Sequence, residues 1–261
     1  MAIRNSWGMI AKLDDSVKIL FLLGKKDEEK PNIKRLVENE RFLFHDIIVL
    51  DIAESYHSLT NKSIAVLQWA TSHCFRAKYL LKIDDDMFLN IKVLLKYLKL
   101  ENPENSITGC ADTNKIPVRN PSKKWYVSQH KYNKEKFPPY VSGTAYVICG
   151  EIIPKLLKAS QTVPFLDIED VFITGLCREF IKAKVIKHKG FTCRYREPGP
   201  CGLNYIDAVT GHHFDPSEMV RMWKELNQRQ SCRLVDSEGL SGCARRLKKW
   251  ILRTLEIKIK I

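Results

Sequence analysis

Three aspartates in a row, Asp84, Asp85 and Asp86, stand directly behind a short apolar run, AKYLLKI at residues 77–83. Adjacent carboxylates repel one another, and a divalent cation is the usual way to offset that cost. If the run is a strand, the triplet lies at the C-terminal edge of a sheet, where open α/β sheets bind ligands. In extended chain, alternate residues point to one side, so Asp84 and Asp86 can reach a metal and its diphosphate together. The plain alternative is a solvated turn or a helix cap. Position behind a buried strand favours the metal reading.

A second acidic cluster, LDIEDVF at residues 166–172, falls at a predicted helix start. Acids there complement the helix dipole and bond the free backbone N–H groups, which is reason enough for Glu169 and Asp170 to stand where they do. The functional reading is a general base, a carboxylate within hydrogen-bond reach of a substrate hydroxyl. Further on, His212 and His213 precede Phe214, Asp215 and Pro216. Imidazole there suits a metal ligand, although a surface or core histidine pair is the commoner role for such residues.

The elements that must position these groups alternate in type. Residues 17–23 (VKILFLL) and 46–52 (DIIVLDI) are short β-prone runs, and helical spacing fills the interval between them. A helix is predicted from residue 59 to about 74, a third strand over 77–83 and another helix over 90–98. Such alternation implies an α/β fold with a mainly parallel sheet flanked by helices. The second half is less regular. Residues 125–128, 141–149 and 185–188 read as strands, and 152–159, about 170–181 and 216–227 as helices, the last with Pro216 at a favoured first-turn position.

At 261 residues, with 44% apolar and 28% charged side chains, the chain can bury a sizeable core and carries no disorder signature. Its net charge of +13 suits an anionic partner. Part of that surplus is local: residues 245–260 (RRLKKWILRTLEIKIK) hold seven basic groups against one acidic. This tail reads as an amphipathic helix packed on the body, with membrane-surface or nucleic-acid contact as alternatives. No apolar run approaches the roughly 20 residues of a membrane-spanning helix. Eight cysteines without a CxxC pair argue against a structural zinc site.

Seven blocks, in order, resemble the galactosyltransferase-type β-1,3-glycosyltransferase family. They are IRNSWG at 3–8, FLLG at 21–24, and DIIV at 46–49 with Glu54-Ser55-Tyr56, Leu59-Thr60 and Lys62. KIDDDMF at 82–88, YVSG at 140–143 and EDVFITG at 169–175 follow, and last comes His212, four residues before Pro216 and followed by Met219. Together they cover about residues 3–226.

The resemblance implies a two-lobed nucleotide-sugar transferase fold of the GT-A type, with a nucleotide-sugar half over about 1–110 and an acceptor half over 111–239. The basic tail, 240–261, lies outside it. It implies an inverting enzyme that moves galactose or an N-acetylhexosamine from a UDP-sugar to the 3-hydroxyl of a glycan on glycoprotein or glycolipid. Asp170 is then the base, Asp86 and His212 are ligands of a divalent ion, expected to be Mn²⁺, Asp84 and Asp85 contact ribose or sugar, and Arg4 and Lys62 lie on the nucleotide side. Nucleic acid is not an expected partner. Family members sit in the Golgi membrane behind a signal-anchor with their catalytic domain in the lumen, where several cysteines, especially those over 193–243, would be paired.

The family pattern places an anchor, a stem and a first strand upstream of the arginine motif, and this chain starts inside that motif. A shortened member is therefore expected. Its alternative function is a non-catalytic protein that keeps the fold and binds sugar or nucleotide without turnover. A phosphoryl-transfer or nuclease reading of the aspartate triplet leaves the YVSG and EDV blocks unexplained.

Overall fold

The structure, a computed structural model, describes residues 1–25 and 31–227. Along the chain its elements are β1 (Phe21–Lys25), α1 (Pro31–Phe44), β2 (Ile47–Ala53), α2 (Leu59–His73), β3 (Tyr79–Ile83), β4 (Phe88–Leu89), α3 (Ile91–Glu101), β5 (Ser106–Asp112), β6 (Tyr140–Cys149), α4 (Ile153–Ser160), α5 (Arg178–Phe180), β7 (Lys184–Lys187), β8 (Thr210–Gly211) and α6 (Pro216–Asn227). A π-helical segment, Val171–Cys177, leads into α5. The basic tail expected over 240–261 lies outside the described residues, as do Cys232 and Cys243.

The chain forms two compact units, each assembled from separated stretches. Of the described residues, one takes those within 15–83 and 102–188, the other 1–14, 84–101 and 189–227. These units interleave along the sequence, whereas the halves expected on either side of residue 110 are contiguous.

Among the described residues the larger unit carries two of the three sheets, and the short β4-β8 pair belongs to the smaller one. β1 and β2 pair in parallel through the α1 crossover, with Phe21 opposite Ile47. The second sheet has the order β3-β6-β5-β7. The α/β class expected from the sequence holds, but the expectation of a mainly parallel sheet needs correction. β6 runs antiparallel to both β3 and β5, and only β5 and β7 pair in parallel. No helix lies between β5 and β6, so the chain returns in the opposite direction; the helical crossover after β6 brings β7 back parallel to β5.

The core of this unit is one cluster. Leu67 and Ala70 of α2, Ile153, Leu156 and Ala159 of α4, and Ile107, Tyr146 and Ile148 of the sheet all belong to it. In α4 these residues recur at three-residue spacing and so share one face. Two expectations fail in this unit. Residues 125–128 form no strand, only an isolated bridge from Val118 to Tyr126. The unpredicted β5, SITGCAD, is an inner strand of the sheet. Its Gly109 is there for space, since a Cβ would lie 2.5 Å from Val141 Cγ1.

In the smaller unit, the rings of Phe88, Tyr205 and Phe214 pack mutually at centroid distances of 5.4–5.9 Å. Buried Met219 and Met222, three residues apart on α6, add to this core. Trp7 is buried too, and its indole N–H donates to the Met87 carbonyl at 3.2 Å. Cys193 and Cys201, both within the 193–243 region expected to hold bridges, are disulfide-bonded, as is Cys110. Cys74, Cys149 and Cys177 are free thiols. Among the described residues no helix is long and apolar enough to cross a membrane.

Candidate active site

The aspartate triplet does not continue the extended chain of β3. The backbone turns at Asp85 and Asp86, and the Met87 N–H reaches back to the Asp84 carbonyl at 3.3 Å. The strand rule that put Asp84 and Asp86 on one side therefore does not apply here. Asp86 is half-buried, and Asp85 is exposed.

What the turn does is deliver Asp86 to the histidine pair. β4 and β8 pair antiparallel, Phe88 opposite Gly211, and the Phe214 N–H donates to the Asp86 carbonyl at 2.9 Å. His212 Nε2 then lies 3.3 Å from Asp86 Oδ2, and His213 Nδ1 lies 3.6 Å from the same oxygen. The two imidazoles stack with centroids 3.7 Å apart. His213 adopts the left-handed backbone region, φ 65°. That turn lets consecutive residues, which alternate sides in a strand, present their rings together.

Ligand atoms of Asp86, His212 and His213 all lie within 4.8 Å of one another, the one such cluster of three among the described residues. One carboxylate and two imidazoles make a donor set suited to a first-row divalent ion. Burial holds the His212 pKa below its ordinary value, against the opposing pull of the Asp86 carboxylate. A neutral imidazole is the form that ligates. The sequence offers both histidines as candidates and the family resemblance puts only His212 forward; the cluster brings His213 in beside it.

Asp170 belongs to the other unit, at the head of the π-helical segment. Its Oδ1 accepts from the Val171 N–H at 2.9 Å and its Oδ2 from the Gly143 N–H at 3.0 Å. The cap expected of an acid at a helix start is thus present. Yet the carboxyl is pushed up to about 6, first by burial and then by the charge of Glu169, while the two backbone N–H groups and Lys82 pull the other way. A carboxylate poised there is matched to proton transfer near neutral pH.

Glu169 is in different surroundings. It is buried, 7% exposed, and its Oε1 accepts from the hydroxyls of Ser63 at 2.7 Å and Tyr146 at 2.5 Å. Thr174, also buried, ties the π-helical segment to β6: its Oγ1 accepts from the Val141 N–H at 2.8 Å and lies 2.9 Å from the Val141 carbonyl. Gly175 completes the fit, because a Cβ would come 3.2 Å from Tyr140. The EDVFITG block therefore works as a docking segment for β6 as well as a carrier of acids.

Of the basic residues, Lys62 donates to both oxygens of Glu54, at 2.5 and 2.6 Å, and Glu54 Oε2 also accepts from the Gly24 N–H at 2.7 Å. Arg4 is buried, with a guanidinium nitrogen 3.5 Å from the sulfur of Met1. Arg4, Asp84, Asp85, Asp86 and His212 share the smaller unit; Lys62 and Asp170 belong to the larger one.

With this geometry in view, comparison with known proteins is direct. The family model described as Galactosyltransferase matches residues 1–189. Human and mouse β-1,3-galactosyltransferase 1 are each 32% identical over 246 residues, covering 89% of this chain and 71% of theirs. Human β-1,3-galactosyltransferase 2 is 31% identical over 233 residues, covering 87% of this chain and 55% of its own. A solved glycosyltransferase involved in glycosylation of the major capsid of PBCV-1 aligns with 80% of this chain and 100% of its own, at 14% identity and a TM-score of 0.39, too weak a likeness to add to the fold. Both the matched family model and the shared identity across most of the chain lead to one conclusion: this protein belongs to the galactosyltransferase family and is a glycosyltransferase.

Proposed function

We propose that the protein is an inverting hexosyltransferase that uses a UDP-sugar, galactose or an N-acetylhexosamine, and glycosylates the 3-hydroxyl of a glycan on glycoprotein or glycolipid. The observation that carries this reading is Asp170, a half-buried carboxylate held by two backbone N–H groups and raised to about 6. In the reaction the acceptor oxygen forms a bond to the anomeric carbon as the bond from that carbon to the UDP oxygen breaks. Asp170 takes the proton from the acceptor hydroxyl, and UDP leaves with the electron pair. Attack from the face opposite UDP inverts the anomeric configuration.

Asp86 and His212, joined by His213, would hold a divalent ion, with Mn²⁺ the ion that the family resemblance implies. Such an ion supplies charge neutralisation at a diphosphate leaving group. Asp84 and Asp85 are assigned to ribose or sugar, and Arg4 and Lys62 to the nucleotide side. Residues 1–110 would serve mainly the nucleotide sugar and 111–239 the acceptor, on the lumenal side of the Golgi membrane, with the signal-anchor that this family uses.

The test is Mn²⁺-dependent UDP release measured with UDP-galactose, UDP-GlcNAc and UDP-GalNAc, with and without acceptor glycosides. Turnover of one donor that is abolished by chelation and restored by Mn²⁺ supports the reading. Binding of all three without any UDP release would favour a non-catalytic protein.

A further inference from the structure

The Glu169 carboxylate is enclosed by its own unit. Besides the two hydroxyls on Oε1, its Oε2 faces the Lys82 ammonium at 4.0 Å and crowds Gly143, where a Cβ would fall 3.1 Å away. Lys82 Nζ donates to the Gly143 carbonyl at 2.5 Å, and the Gly143 N–H donates to Asp170 Oδ2 at 3.0 Å. The same Cβ would also sit 3.3 Å from the Asp170 Cβ, so Gly143 is pressed between both acids and a side chain there would be a tight fit. A buried carboxylate is costly unless it is paired and hydrogen-bonded. Helix capping explains none of this, because Asp170 already caps the segment.

We infer that Glu169 and Lys82 are positioning residues for sugar transfer: the pair pins Gly143, and Gly143 pins the Asp170 carboxylate. This rests on Asp170 being the base. Lys82 stands two residues before the aspartate triplet, where its charge invites a role in nucleotide binding, yet its ammonium is directed to the Gly143 carbonyl and Glu169. The two partners act on Asp170 with opposite sign, Glu169 raising its pKa and Lys82 lowering it. The other titratable groups that face Asp170 are Tyr140 and Tyr146 of β6, and burial keeps both phenols protonated.

The experiment compares Glu169→Gln, Lys82→Met and Lys82→Arg by pH profile and by kcat against KM, using Mn²⁺-dependent UDP release from whichever of the three UDP-sugars the parent turns over. The acid limb of kcat/KM should move down in Glu169→Gln and up in Lys82→Met, by on the order of one pH unit each. kcat should fall roughly 10- to 100-fold in both while the donor KM stays near the parent's. Lys82→Arg, which keeps the cation, should return the limb toward the parental position.

Lower stability in the first two variants with parental limbs would make the pair merely structural and overturn the inference. A raised donor KM with parental kcat in Lys82→Met would also overturn it, in favour of a nucleotide contact. Should Glu169→Gln fail to fold, Ser63→Ala removes a single donor from the same carboxylate; a parental kcat there counts against the inference, a several-fold loss at unchanged KM supports it. Asp170→Asn, measured alongside, separates the two readings. Near-normal turnover in that variant removes the base itself, whereas an inactive Asp170→Asn with unmoved limbs elsewhere removes only the positioning role.

Discussion

His212 Nε2 and Asp86 Oδ2 lie 3.3 Å apart although 126 positions separate them, and the His213 ring stacks on its neighbour at 3.7 Å. Two donors this close, with a third beside them, are spaced to share one ion. Asp86→Ala and His212→Ala should each weaken Mn²⁺ binding by at least about tenfold, with the melting temperature little changed by Asp86→Ala. Titration calorimetry with Mn²⁺ checks it. His213→Ala decides whether the third donor ligates: a loss of similar size makes it a ligand, and parental affinity leaves it a neighbour.

On the role proposed for Asp170, its carboxyl links activity to stability. Its pKa is about 6 in the folded chain against 3.8 for the ordinary side chain, so the folded state holds the proton more tightly than the unfolded one. That contribution to stability is full below 3.8 and gone above about 6. Relative to Asp170→Asn, the parent should therefore lose up to about 3 kcal/mol of stability between pH 4 and pH 7. Transfer runs the other way, rising through the same window as the base is freed, with an acid limb near pH 6. Denaturant melts and kcat/KM profiles across that range test both halves.

Asn at position 170 is also an imperfect cap. Two backbone N–H groups, from Gly143 and Val171, each use a different Asp170 oxygen, and an amide offers one. At pH below about 4, where both side chains are neutral, Asp170→Asn should be less stable than the parent by roughly 1 kcal/mol, because a protonated carboxyl keeps acceptor capacity on both oxygens and the amide nitrogen has none. Transfer should fall by at least about a hundredfold at neutral pH. Urea unfolding at low pH separates the cap from the base.

Thr174→Val removes the hydroxyl that satisfies Val141 within a fully buried site. The stranded Val141 N–H should cost about 1–3 kcal/mol, and Thr174→Ser should recover most of it. Thermal melts of the two variants give the answer.

Gly211→Ala tests the scaffold of the histidine pair. A Cβ at 211 would lie 2.6 Å from Tyr205 Cζ, and Tyr205 is packed between Phe88 and Phe214. The ring cannot yield without moving β8, which ends one residue before His212. A loss of about 1–3 kcal/mol together with weaker Mn²⁺ binding is expected. Parental Mn²⁺ affinity would show that β8 does not set the site.

Periodicity determined much of this protein from its sequence alone. β1, α1, β2, α2 and β3 were legible because five to fifteen residues of regular apolar spacing carry the signal for burial on one face. Asp86, Asp170 and His212 stood out in the sequence as candidates, an acid behind an apolar run, an acid at a helix start and one of a histidine pair, while the roles proposed for them came from the family resemblance. Other features had no local signal. β5 was missed because Ser106, Thr108 and Gly109 do not read as strand, although Ser106 and Thr108 are buried, and β4 and β8 are too short to have a period. The antiparallel course of β6 depends on which strands accept its hydrogen bonds, a long-range choice. So do the different surroundings of Glu169 and Asp170. Adjacent in sequence and alike in charge, they differ only because Ser63, Tyr146 and Lys82 close around one, while the peptide of Gly143 holds the other.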